Sequence, residues 1–273
     1  MDQQYDVAAI LGGLYGEGIV GLEAAFPRSL VESLHRQVLD LHAEAARKAN
    51  GAVPRGPKRW YVELQPERVE GFVEIVGHPW FVAVSTAVLG AGYQIVEFGF
   101  DIPLPGAADQ PWHRDFPGDT ANATGRRLSS LAFNMTTVDT RAEHGPFEIA
   151  PGTQWDDITG AKADMFPGRD KWSRYQSLAV PKLPQRGDIS ARTGLAIHRG
   201  TANRSDEPRP VLIFGVVAKD VIDAERHQLQ VTQAWFDSLP AVVREHLFCT
   251  IVDAAGPLEQ RHMIEGLLDA DYG

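Results

Sequence analysis

Leu30, Val31, Leu34, Val38 and Leu41 recur at the spacing of one face of an α-helix. They predict an amphipathic helix over 28–49, stopped by Asn50-Gly51. Residues 51–60 are rich in Gly, Pro and basic side chains and read as a loop. A shorter apolar helix is expected over 79–89, ending at Gly90. The texture then changes. Runs that favour β-structure occupy 93–104, 128–138, 146–150, 177–183, 188–197 and 211–218, separated by Gly, Pro and Asp. The tail, at 231–247 and 257–269, returns to helical patterning. Helices, then many short strands, then helices predict an α+β protein, mainly β, with a sandwich or barrel core. Strands and helices do not alternate regularly, which disfavours a doubly wound parallel sheet. The stretch 153–176 has no period and carries Trp155, Phe166, Trp172 and Tyr175. It reads equally as a lid over a site or as a surface excursion pinned by its own aromatics.

A chain of 273 residues suits one elaborated domain over 1–273, with its β core at about 93–220. A net charge of −10 disfavours a general nucleic-acid binder, which needs a basic surface. The longest apolar run, Val211 to Ala218, falls far short of the roughly 20 residues of a spanning helix. No basic-then-apolar stretch opens the chain, so no secretory signal is expected. The lone Cys249 cannot form an intramolecular disulfide and fits a reducing, cytoplasmic setting. The expected partner is a small molecule rather than nucleic acid or membrane, and the chain is expected as a monomer or homodimer.

Candidate chemistry starts at His113-Arg114-Asp115. In an extended chain, residues two apart share a face, so an imidazole and a carboxylate here can reach one cation. Two such ligands plus a second His form the facial triad of non-haem Fe(II) oxygenases. The dyad alone is weak: 9 His and 36 acidic residues in 273 give about one His-x-acid by chance. A decoy, His42-Ala43-Glu44, lies in the predicted helix, where positions two apart diverge. What raises His113 and Asp115 is a third ligand far along the chain. His198 follows the run ending at Ile197, and eleven residues later Arg209 opens the apolar run from Val211. A buried guanidinium keeps its charge and pairs bidentately with a carboxylate, as the distal end of a dicarboxylate such as 2-oxoglutarate requires. Taken singly, His198 reads as a satisfied buried histidine and Arg209 as a surface ion pair. The ordered set of four is much harder to reach by accident.

Two other features compete. Gly16-Glu17-Gly18-Ile19-Val20-Gly21 matches G-x-G-x-x-G, and Ala8–Leu14 and Asp40 stand where a dinucleotide fold would put its strand and its acid. Asp40 falls inside the best predicted helix, so the glycines read as a turn into a short strand. Lys58-Arg59-Trp60-Tyr61 either borders a pocket, with its basic pair on a substrate carboxylate or phosphate, or is a solvated basic loop.

The segment Gln110-Pro111-Trp112-His113-Arg114-Asp115 resembles the first metal motif of the phytanoyl-CoA dioxygenase (PhyH-like) family of Fe(II)/2-oxoglutarate oxygenases. The run from His144-Gly145-Pro146-Phe147 to Pro151-Gly152-Thr153 resembles that family's glycine-proline turn. The stretch from Arg186-Gly187-Asp188 through His198 and Asn203-Arg204-Ser205 to Arg209 resembles its distal motif. The resemblance implies a double-stranded β-helix, a cupin-like jelly roll with flanking helices. It implies Fe(II) on His113, Asp115 and His198, and 2-oxoglutarate with its far carboxylate on Arg209. Gln110 and Thr201 are its further candidate co-substrate contacts. Phe147 stands where many members carry a small polar residue, often Thr, so one co-substrate hydrogen bond is missing or comes from elsewhere. The implied reaction converts 2-oxoglutarate and O₂ to succinate and CO₂ while oxidising a C–H bond of an apolar or amphipathic small molecule. The carboxylate at Asp115 favours hydroxylation, desaturation or ring formation over halogenation. The alternatives are a non-catalytic jelly roll that binds a metal or ligand, and a nicotinamide enzyme built on Gly16–Gly21.

Overall fold

The computed structural model describes residues 5–115, 124–156, 165–221, 228–256 and 259–260. The chain opens with α1 (Val7–Gly16), β1 (Ile19–Leu22) and α2 (Arg28–Ala45). It continues through β2 (Val53–Pro54), β3 (Arg59–Glu63), α3 (Phe72–Val76) and α4 (Pro79–Leu89). The β region follows: β4 (Gln94–Pro103), β5 (Ser130–Thr136), β6 (Phe147–Ile149), β7 (Val180–Lys182), β8 (Ile189–Thr193), β9 (His198–Gly200) and β10 (Val211–Val217).

Seven strands form an antiparallel sheet in the order β1-β8-β5-β10-β4-β3-β2, and three form a smaller antiparallel sheet, β7-β6-β9. Both sheets line one cavity of about 490 Å³, an open jelly-roll arrangement with helices outside.

The large sheet is two-faced because its strands alternate. Phe98, Phe100, Ile102, Leu131, Phe133, Met135, Leu212 and Phe214 join one hydrophobic core with Val31, Leu34 and Val38 of α2, Phe72 of α3 and Trp80, Phe81 and Val84 of α4. Phe81 stacks on Phe133 with ring centroids 3.8 Å apart. Burying one such side chain contributes roughly 1.5–3 kcal/mol, so this face anchors the fold. The opposite face sends Glu97, Asp101, Asn134, Thr136, Ser190 and Arg192 into the cavity.

Helix α4 and the strands around 94–103, 130–136, 147–149 and 211–217 lie where the hydrophobic pattern puts them. Four expectations need correction. Helix α2 ends at Ala45 rather than 49, because the chain turns back so tightly that a side chain at Gly51 would meet the Ala45 carbonyl. The basic stretch 51–60 is not simply a loop. It holds β2 and starts β3, with Arg59 paired opposite Pro103 of β4. The run 188–197 breaks at a turn around Gly194 into β8 and the approach to β9. The tail at 231–247 is not one helix: it holds β11 (Gln230–Thr232), two short helices (Gln233–Ser238 and Ala241–Arg244) split by Pro240, and then β12 (Thr250–Val252), which pairs parallel with β11. Of the expected helix at 257–269, only 259–260 lie among the described residues. The G-x-G-x-x-G run follows helix α1 and leads into β1, the reverse of a dinucleotide fingerprint. No described helix is long and apolar enough to cross a membrane.

Candidate metal centre and its cavity

His113 lies on the segment after β4 and forms an antiparallel bridge with His198 at the start of β9. The two backbones exchange hydrogen bonds, His113 N–H to His198 O at 2.9 Å and His198 N–H to His113 O at 2.8 Å. Their rings come to 4.3 Å between centroids. Asp115 is fixed two residues on, where its N–H donates to Gly194 O at 2.8 Å. The turn that breaks the 188–197 run therefore also seats the acid. One ligand atom from each of His113, Asp115 and His198 falls within 4.8 Å of the others.

The ring nitrogens have defined roles. Nδ1 of His113 lies 2.9 Å from Pro111 O, and Nδ1 of His198 lies 2.9 Å from Ala196 O. A carbonyl only accepts, so both Nδ1 atoms carry the proton, and both Nε2 lone pairs are left for the cluster. Burial, then the neighbouring His198, pushes the His113 imidazole down to about 3. Burial and then Arg192 lower His198 as well. Burial alone would raise Asp115; the Arg192 guanidinium and His198 outweigh it and hold the carboxyl well below its usual range. Two neutral imidazoles and one carboxylate are a donor set for a divalent metal with positions left open, so the residues fit an iron ion.

Asp115 is shared. Its Oδ1 lies 3.4 Å from His198 Nε2, while Oδ2 accepts a short hydrogen bond from Arg192 Nη1. Arg192 comes from β8 on the opposite sheet and is only 6% exposed. Its guanidinium carbon also lies 5.4 Å from the Phe147 ring centroid, and Phe147 lies 5.2 Å from the His198 ring. On the far flank, Phe166 stacks on His113 at 6.1 Å, and Arg114 N–H donates to Met165 O at 2.9 Å. The stretch 153–176 thus touches the centre at 165–166, although its residues 157–164 lie outside the described ones.

Arg209 is buried at 4% exposure just before β10. Asn203 aims it: the amide donates to Pro103 O and Glu207 O, and its carbonyl accepts from Ser205, which fastens the 203–207 turn. Arg209 Nε donates to His144 O at 3.2 Å, and no carboxylate pairs with its guanidinium among the described residues. Burial, then the nearby Arg59, pulls it down to about 10. Arg59 is 1% exposed and donates to Asp101 Oδ2 at 2.9 Å, Gln110 Oε1 at 3.4 Å and Thr201 O at 3.0 Å. It fits because Gly200 has no side chain: a Cβ there would occupy the guanidinium's place.

His113, Asp115, His198, Arg209 and Gln110 all line the one cavity. Thr201 does not. Its hydroxyl donates to Pro146 O at 2.8 Å, away from the centre. Of the basic pair at 58–59, Lys58 is exposed and only Arg59 reaches the cavity. The decoy Glu44 stays on α2, where Arg68 first and Lys48 second draw its carboxyl down to about 2. Sequence reasoning missed Arg192 and Lys182 as cavity residues. The available signal was alternation: in 188–193, Arg192 shares its face with Ser190, opposite the apolar Ile189 and Ala191.

The model of the phytanoyl-CoA dioxygenase (PhyH) family matches residues 15–211. Among solved structures, EctD from S. alaskensis, determined with 2-oxoglutarate and 5-hydroxyectoine, aligns with a TM-score of 0.67 at 15% identity, over 92% of this chain and 89% of its own. The non-heme α-ketoglutarate-dependent carbocyclase SnoK from nogalamycin biosynthesis gives 0.63 at 18% identity, over 80% and 86%. HygX from Streptomyces hygroscopicus, solved with nickel and 2-oxoglutarate, gives 0.60 at 15%, over 88% and 94%. At such identities these structures speak for the fold.

Proposed function

The chain belongs to the phytanoyl-CoA dioxygenase (PhyH) family and is an Fe(II)/2-oxoglutarate-dependent oxygenase, and from that premise we propose that His113, Asp115 and His198 hold its iron and Arg209 the far carboxylate of its co-substrate. The observation that carries this assignment is convergence. Two proton-free Nε2 atoms, one carboxylate and a buried guanidinium without a carboxylate partner among the described residues face the same cavity. The bound iron, with 2-oxoglutarate and O₂, supplies the oxidising chemistry that ends in succinate, CO₂ and an oxidised C–H bond.

The protein's part is placement. Pro111 and Ala196 carbonyls fix both imidazoles in the ligating tautomer before any metal arrives. Arg192 occupies Oδ2 of Asp115 and turns Oδ1 toward His198. Arg209 offers a fork of donors to the distal carboxylate. Gln110 has its carbonyl oxygen engaged by Gly200 N–H and Arg59, which leaves its amide N–H groups to the co-substrate. Arg59 stands close enough to Arg209 to depress it, and serves as the second co-substrate contact in place of the hydrogen bond that Phe147 cannot make. Thr201 acts through its carbonyl on Arg59. Phe166 stacks against the His113 ring and shields that side of the centre from water. The chain works as one domain, in the reducing cytoplasm that suits its single half-buried Cys249. Incubation with Fe(II), 2-oxoglutarate and O₂ tests the reading: succinate forms above a no-protein control and more so with a cognate substrate, while a protein that binds both without releasing succinate is the non-catalytic module.

A further inference from the structure

Phe147 separates two groups of cations in the cavity. Strand order on the small sheet is β7-β6-β9, with Lys182, Phe147 and Gly200 in one cross-strand row. Paired residues of an antiparallel ladder share a face, so Lys182 and Phe147 rise together into the cavity they both line. Over Gly200, on the β9 side of the ring, sits the guanidinium of Arg59, with Arg209 nearby. On the β7 side stands Lys182, and Arg192 reaches the ring from β8, at the other end of the large sheet from Arg59 on β3. The first group answers to the co-substrate's distal carboxylate. The second has no such assignment.

Its hydrogen-bonding capacity is incompletely used. Arg192 commits Nη1 to Asp115, while its Nη2 makes no hydrogen bond among the described residues, in a side chain that is 8% exposed. Lys182 is half-buried and meets no carboxylate among the described residues. A guanidinium and an ammonium flanking one ring are charged donors, and a carboxylate is the group that accepts from both. We propose that the primary substrate carries an anionic group, a carboxylate, seated between Lys182 and Arg192. This rests on the oxygenase reading above and names the class of its substrate. Phe147 then acts as a partition. Two carboxylates share one cavity, each with its own pair of cations, and an apolar ring stands between them where many relatives carry a small polar residue.

Benzoate and its neutral counterpart benzamide probe this site directly. The full-length protein is loaded with Mn(II) and saturated with 2-oxoglutarate, so that Arg209 is already occupied, and binding of each probe is read by intrinsic fluorescence. Benzoate is expected to bind about tenfold more tightly than benzamide. Lys182→Met should bring the two to within about twofold, and Lys182→Arg should restore the preference. Equal binding of the probes, or a preference untouched by Lys182→Met, overturns the inference while leaving the oxygenase intact. Failure of 2-oxoglutarate itself to bind the manganese-loaded protein overturns the oxygenase reading and the inference with it.

Discussion

The two faces of the large sheet belong to the same strands and have opposite characters. On β4, Phe98, Phe100 and Ile102 point to the helices, and Glu97 and Asp101 point to the cavity. On β5 the division is Phe133 and Met135 against Asn134 and Thr136. On β8 it is Ala191 against Ser190 and Arg192. The helix-side face consists of rings and branched chains whose burial drives folding. The cavity-side face holds buried charges, two of them paired, Arg59 with Asp101 and Arg192 with Asp115, and one, Arg209, without a carboxylate partner among the described residues. Stability and chemistry are thus separated by one residue of register. Substitutions on the two faces should fail in different ways.

The largest contrast is expected at His198. His198→Ala should abolish succinate formation, by at least about a thousandfold, since the remaining pair cannot hold the metal, yet the variant should lose less stability than a substitution on the helix side, because it removes one ring and one hydrogen bond to Ala196 O. Phe133→Ala should do the converse. A fully buried ring is lost from the helix side, so unfolding free energy should drop by about 3–5 kcal/mol in a urea titration, while turnover per folded molecule stays within about twofold. If Phe133→Ala instead removes activity without touching stability, the two faces are not separate. Arg209→Ala should raise KM for 2-oxoglutarate roughly 30-fold with a smaller change in kcat, measured by varying co-substrate at saturating Fe(II). Arg192→Met should leave KM for 2-oxoglutarate closer to the parent value and weaken metal binding about tenfold, because Asp115 loses the donor on Oδ2.

The smallest effect is one of pH. Folded His113 takes its proton only near 3, whereas an exposed histidine does so near 6.5. The neutral buried ring therefore contributes stability that is fully present above about 6.5 and lost as pH falls from there through 3, because the unfolded chain binds the proton first. The melting temperature of the metal-free protein should decline between pH 7 and 4.5, and His113→Gln should flatten that decline. Phe133→Ala, which alters no titrating group, should lower the curve without changing its slope.

Much of the fold is legible in the sequence. The strands announce themselves by β-branched and aromatic runs between Gly, Pro and Asp, and α4 by its apolar stretch closed at Gly90. His113, Asp115, His198 and Arg209 were legible because each sits in a local motif whose order along the chain is itself a signal. What escaped is nonlocal. Arg192 looks like any strand arginine until β8 is placed opposite the His113 segment, and Lys182 means nothing until β7 pairs with β6. Arg59 lines the cavity as one of the two readings of 58–61 has it, whereas its strand is hidden, because Gly and Pro at 51–57 conceal an element stabilised by its pairing with β4 rather than by its own propensity. The tail departs from its pattern for a related reason: 231–247 has helical periodicity, but Pro240 and the pairing of β11 with β12 override it.

Three side chains from distant parts of the sequence are thus expected to share one metal ion beside a guanidinium that reads the co-substrate. A crystal structure of the protein with Mn(II) and 2-oxoglutarate, grown without O₂, tests it most directly. A single ion is expected in coordination distance of His113 Nε2, His198 Nε2 and an Asp115 oxygen, with the distal carboxylate of 2-oxoglutarate on the Arg209 fork. An ion held by other residues, or a carboxylate seated away from Arg209, would contradict it.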